Sequence, residues 1–203
     1  GDSNTHGTPP ITDRAVCDRF GPDVRWPVLA ARVLGWTLVE EGLPGRTTMF
    51  ADTVMGDIMD GRAGLKIALR SHGPIDVLTI MLGTNDVKTM FGATPETIVG
   101  GLASLLAIAH SDEMQLRHGG FKTLVICPPP VIEQGPIVDA FFGGRAKSLA
   151  LPPLYAALAA HWGVGFLDAG AHIGVSPVDG VHFDAAGHAG LAQAVARAVA
   201  ALL

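Results

Sequence analysis

Cysteine is nearly absent from this chain, since Cys17 and Cys127 are the only thiols among 203 residues. At most one disulfide can form, and the spacing suits neither a CxxC redox pair nor a metal clip, so both read as buried free thiols. Basic charge is scarce as well. Lys and Arg number 14 against 19 Asp and Glu, giving a formal net charge of −5, and they are scattered. Without a basic patch there is no electrostatic footing for nucleic acid, and polyanions are poor partners. No apolar run suits a bilayer: Val77–Leu82 is too short, and Leu191–Leu203 is Ala-rich and interrupted. The chain therefore reads as soluble, without a membrane partner, and the lack of a signal-peptide pattern makes the cytoplasm the default location. A glycine-rich phosphate loop entering a helix is also missing, which disfavours a flavin or nucleotide cofactor. No internal repeat or low-complexity tract is present.

What the chain does have is apolar mass: 48% of the residues are hydrophobic, enough for one domain spanning 1–203 with a sizeable core. Apolar runs at Trp36–Glu40, Val77–Leu82, Thr123–Cys127 and Gly165–Leu167 fit buried parallel strands, each followed by a Gly- or Pro-containing loop. Helical patterns lie near Val24–Leu34, Ile58–Ser71, Pro95–His110, Arg145–His161 and Ala185–Leu202, and Thr94-Pro95-Glu96 supplies a cap and first turn. Strand and helix alternate, which predicts an α/β fold with three layers. The segment from Pro128 to Gly144 is a long connection of the kind that shapes binding sites.

Ester hydrolysis by serine needs a base to activate the hydroxyl, a carboxylate to orient the base, and donors for the developing oxyanion. Asp179-Gly180-Val181-His182 places a carboxylate three residues before an imidazole, with a glycine between them that permits a tight turn. A surface Asp and His ahead of a helix would carry the same letters. Ile80 to Asp86 runs from an apolar strand into Gly83-Thr84-Asn85-Asp86, which puts Asn85 at the C-terminal edge of a parallel strand, where open α/β sheets bind ligands. Such a turn would also simply end a strand. Gly45, in the turn after Trp36–Glu40, lets its backbone approach a substrate oxygen, and Ser3 in Gly1-Asp2-Ser3 is the candidate nucleophile. His6 lacks an orienting carboxylate at a useful offset and reads as cleft lining. Asp2 reads as a partner for local amides, and Arg46 as an ion-pair partner of Glu41 or Asp86 or, less favoured, as lining of the site entrance. His172, His182 and His188 with Asp168, Asp179 and Asp184 match no tight ligand spacing, so no metal is expected.

Taken in order, GDSNT at 1–5, GRT at 45–47, GTND at 83–86 and DGVH at 179–182 resemble the four blocks of the SGNH (GDSL-like) hydrolase family, across the whole chain. Arg25-Trp26, Glu40-Glu41-Gly42-Leu43 and Arg46-Thr47-Thr48 resemble its bacterial arylesterase/acyltransferase branch. Asn4 departs from the leucine of the GDSL name. The resemblance implies a triad of Ser3, His182 and Asp179, and an oxyanion hole from the Ser3 and Gly45 amides and the Asn85 side chain. It implies no cofactor or metal, a small ester of short acyl or aryl type as substrate, and acyl transfer through the same acyl-enzyme. A carbohydrate or lipid deacylase, or a non-catalytic binding module, are the alternatives. The fold it implies is a flavodoxin-like α/β/α sandwich with a five-stranded parallel sheet in the order 2-1-3-4-5, its first strand upstream of residue 1. Branch members form higher homo-oligomers, an octamer among them, and the apolar Pro128–Gly144 segment offers a surface for one.

Overall fold

Strand β2 (Lys122–Cys127) is the spine of the computed structural model, which describes all 203 residues. It pairs in parallel with β1 (Val77–Ile80) on one side, Leu78 opposite Thr123, and with β3 (Gly165–Asp168) on the other, Val125 opposite Phe166. Its side chains alternate between two cores, as the strand pleat requires. Val125 and Cys127 pack with Leu102, Leu105 and Leu106 of α4 (Pro95–Ala109) and Leu151 and Tyr155 of α6 (Gly144–Trp162). Leu124 and Ile126 pack instead with Trp26 and Ala30 of α2 (Trp26–Leu34) and with Leu191 and Val195 of α7 (Ala185–Ala200). Covered on both faces, the strand reads as an uninterrupted apolar run.

The helices form where caps and periodicity place them. Thr94 accepts from the Thr97 amide at the start of α4, and Asp184 from the Gly187 amide at the start of α7. Helix α3 (Gly61–Ser71) begins behind Asp60 in the same way, and α1 (Ser3–His6) behind Asp2. A seventh helix, α5 (Asp112–His118), capped by Ser111, was not expected from periodicity, because its seven residues span barely two turns.

Two expectations need correction. The sheet has three strands, not five, in the order β1-β2-β3. Residues 36–40 are not a strand: they face the edge of β1 across a slot of about 810 Å³ lined by both segments, so their backbone has no ladder partner. Trp36, Leu38 and Val39 are partly exposed beside it. The α/β class itself holds, with helices on both faces of a parallel sheet. Of the thiols, Cys127 is buried but Cys17 is exposed, and they are not bonded to each other. No helix is long and apolar enough to cross a membrane.

Candidate active site

The site is assembled from loops at the C-terminal ends of the strands. Asp2 caps α1 by accepting from the Asn4 amide at 2.9 Å, which sets Ser3 as the first residue of a short helix closed by Gly7. At the other end of the chain, the turn Ser176–His182 is tied by Gly180 N to Ser176 O and by Ser176 N to His182 O. Gly180 is required there twice over. Its φ is +75°, and a Cβ would lie 1.9 Å from the Ile132 carbonyl oxygen.

The turn delivers both polar groups to Ser3. His182 Nε2 lies 3.0 Å from Ser3 Oγ, and His182 Nδ1 lies 2.6 Å from Asp179 Oδ2. Asp179 accepts three amides as well: Val181 N and His182 N on Oδ1, each at 2.9 Å, and Ile11 N on Oδ2 at 2.6 Å. Burial alone would push this carboxyl up, but the hydrogen bond from His182, with the amides of Ile11 and His182, reverses that and holds it at about 2. It is thus ionised at neutral pH, and its bond fixes the proton on Nδ1, leaving Nε2 free to accept from the serine hydroxyl. Ser3, Asp179 and His182 are all at most 5% exposed.

Three donors expected to serve the oxyanion keep hydrogens free. The Ser3 and Gly45 amides donate to no other group of the protein. Gly45 has φ +90°, which a side chain would strain. Asn85 Nδ2 donates one hydrogen to Arg46 O at 3.0 Å, which leaves the second for a ligand and ties the strand-end turn to the Gly45 loop. Asp86 completes that tie by accepting from Thr48 N at 2.9 Å and Thr48 Oγ1 at 2.5 Å. Asp86 is fully buried, and burial pushes its carboxyl up to about 6 against the bonds from Thr48.

Several smaller expectations change. Arg46 makes no ion pair with Glu41 or Asp86; its Nη1 donates to the carbonyls of Gly1 and Glu41. Its charge is attracted to backbone oxygens that the turn already presents. His6 Nδ1 lies 3.3 Å from Thr8 Oγ1 and the imidazole that reaches Ser3 is that of His182. Asp2 does accept a local amide, as its position suggested. Phe141 is 3% exposed within the α4–α6 core, so the Pro128–Gly144 segment folds partly back on its own protein, leaving Phe142 exposed. Asn4, which carried no expected role, has both ends of its side chain engaged, with Val181 O and Phe183 N. Only its departure from leucine marked it in the sequence. No group of three or more His, Cys, Asp or Glu is arranged to hold a metal ion.

Fold and site together are those of an α/β ester hydrolase. The chain belongs to the GDSL-like lipase/acylhydrolase family, whose model matches residues 1–189. It is similar to an aryl esterase of M. smegmatis in its inhibitor-bound form, at 37% identity and a TM-score of 0.91, covering 100% of this chain and 96% of that one. A carbohydrate acetylesterase from Sinorhizobium meliloti is similar at 36% identity and a TM-score of 0.93, with the same coverage. A carbohydrate acetylesterase family member from the same organism matches at 31% identity and 0.89, covering 100% and 95%. No curated protein sequence matches.

Proposed function

We propose that the protein is a serine esterase for short acyl and aryl esters, with Ser3 as nucleophile, His182 as general base and acid, and Asp179 as its orienting carboxylate. The observation that carries the reading is the unbroken relay from Asp179 through His182 to Ser3, at 2.6 and 3.0 Å. His182 Nε2 takes the Ser3 proton as Oγ bonds to the ester carbonyl carbon, and the carbonyl electron pair moves onto oxygen. The Ser3 and Gly45 amides and Asn85 Nδ2 stabilise that oxyanion. Collapse breaks the bond to the alcohol, which leaves with the proton from His182, and the acyl group stays on Ser3. Water repeats the sequence and frees the acid; an alcohol in its place yields a new ester, so acyl transfer belongs to the same proposal. We further propose a homo-oligomer, an octamer being one candidate size, supported by the apolar surface that Phe142 leaves uncovered.

A second reading, deacetylation of a carbohydrate, is favoured by the likeness to the Sinorhizobium meliloti enzymes. The test is direct. The unsubstituted protein should react covalently with a fluorophosphonate, and Ser3→Ala should not; labelling that survives Ser3→Ala removes the proposal. Rates across p-nitrophenyl esters from acetyl to octanoyl, beside an acetylated xylose, then separate the two substrate readings.

A further inference from the structure

The side chain of Asn4 spans the gap between the nucleophile turn and the base turn. It is 1% exposed, next to Ser3 in α1, and 177 residues from the backbone it contacts. Its Nδ2 donates to the carbonyl of Val181 at 3.1 Å, and its Oδ1 accepts from the amide of Phe183 at 3.2 Å. These two residues flank His182. The backbone of Asn4 is itself pinned: its amide donates to Asp2, and its carbonyl accepts from Trp26 Nε1 at 3.1 Å. A pinned amide therefore brackets His182 from both sides in sequence, its two side-chain hydrogen bonds going to the flanking backbone.

We infer that Asn4 is a positioning residue for His182: its two hydrogen bonds hold the base turn in register with Ser3 Oγ. This rests on the serine-esterase reading above. Asp179 fixes the rotation and tautomer of the imidazole from within its own turn, and its one partner from outside that turn, the Ile11 amide, lies beyond the helix that bears Ser3. Among the side-chain hydrogen bonds, Asn4 alone ties the residues flanking His182 to the helix that bears the nucleophile. A leucine here would keep the burial and lose the register, leaving a buried carbonyl and a buried amide without partners.

The test compares the unsubstituted protein with Asn4→Leu and Asn4→Ala, each alone and combined with His182→Ala. Turnover of p-nitrophenyl acetate is measured with kcat and KM resolved, alongside the thermal midpoint and the exchange rate of the Phe183 amide. Both single variants should lose roughly ten- to a hundred-fold in kcat, the range a misplacement of less than 1 Å produces, with KM within about two-fold. The Phe183 amide should exchange faster. In the His182→Ala background, where no base remains to be positioned, Asn4→Leu should cost nothing further. An equal loss with and without His182, or unchanged kcat in both folded single variants, overturns the inference. Agreement between the leucine and alanine variants separates the lost bonds from a change of volume. Failure of the underlying esterase reading would look different, since the unsubstituted protein would then turn over no ester and His182→Ala would change nothing.

Discussion

Asp179→Asn is the substitution whose cost can be worked out most fully. The carboxylate receives four N–H groups, two on each oxygen, from Val181, His182 twice, and Ile11. An amide of the same shape has one oxygen, so two of the four donors must face an NH2 group. Two charge-assisted bonds at about 1.5–3 kcal/mol each put the stability loss at roughly 3–6 kcal/mol. Against a typical total of about 5–15 kcal/mol, the variant should fold but unfold early. Activity should fall further than stability. If the oxygen keeps the two backbone amides of its own turn, the NH2 faces His182 Nδ1 and forces the proton onto Nε2, where it meets the Ser3 hydroxyl and cannot accept from it. Loss of the correct tautomer costs about 10⁴ in kcat in comparable triads. Because the carboxyl sits near 2 in the folded protein, below the ordinary 3.8, its contribution is present above about pH 4 and lost only as the pH falls through 2. The gap between variant and parent should therefore be constant from pH 5 to 8. Urea midpoints and p-nitrophenyl acetate turnover measure both halves. A kcat within ten-fold of the parent, or a stability loss under about 1 kcal/mol, would refute the reasoning.

Other outcomes follow from the same geometry. Asn85→Ala should lower kcat by about 10²–10³ with KM little changed, since one oxyanion donor is lost; a loss confined to KM would reassign Asn85 to substrate binding. Burial pulls His188 down to about 4, with Asp184 opposing, so the folded protein holds it neutral. That stability is complete above its ordinary 6.5 and is lost as the pH falls through 4, at up to ~1.4 kcal/mol per unit. Urea midpoints of parent and His188→Gln should therefore converge between pH 6.5 and 4, and parallel midpoints would show that His188 does not titrate as described. For assembly, light scattering should give a multiple of the 21.0 kDa chain, and Phe142→Asp, at a side chain 71% exposed, should lower it; a parent mass near one chain ends the oligomer proposal.

Much of this molecule is legible in its sequence because its elements are long and periodic. Helices α2, α3, α4, α6 and α7 begin and end within a few residues of the apolar patterns that announce them, and β1, β2 and β3 coincide with apolar runs. The segment 36–40 has the composition of a strand but not the neighbour, and a strand is defined by pairing that no single segment contains. For α5 the failure runs the other way, since seven residues are too few for periodicity to register. The Pro128–Gly144 segment offers an apolar surface by composition, yet Phe141 within it packs into its own core, because apolar content says that a residue is buried somewhere, not whether by its own chain or by another.

The proposed reactive groups stand out in the sequence for a different reason: their chemistry resides in side-chain identity, and Ser3, His182, Asp179 and Asn85 stand in short motifs. What holds them does not. The Ile11 amide reaches Asp179 across 168 residues, Asn4 reaches Val181 across 177, and Thr48 reaches Asp86 across 38. None of these bonds has a local signature, because each joins a side chain to backbone that only the finished fold brings near. Yet they are what the site depends on, since none of the groups lies within a strand and only Ser3 begins a helix, of four residues. Loops of this kind would ordinarily be mobile. Here buried carboxylates and one buried amide take the place of ladders and helical turns: Asp2 holds Ser3, Asp179 holds His182, Asp86 ties the Asn85 turn to the Gly45 loop, and Asn4 joins the two ends of the chain. Each is at most 1% exposed, so each bond forms where water cannot compete for it. The preorganisation that the proposed catalysis requires is thus supplied by Asp2 and Asn4 on either side of Ser3, by Asp86 next to Asn85 and by Asp179 three residues before His182, and for that reason the other letters of the motifs carry as much physical content as Ser3, Asn85 and His182.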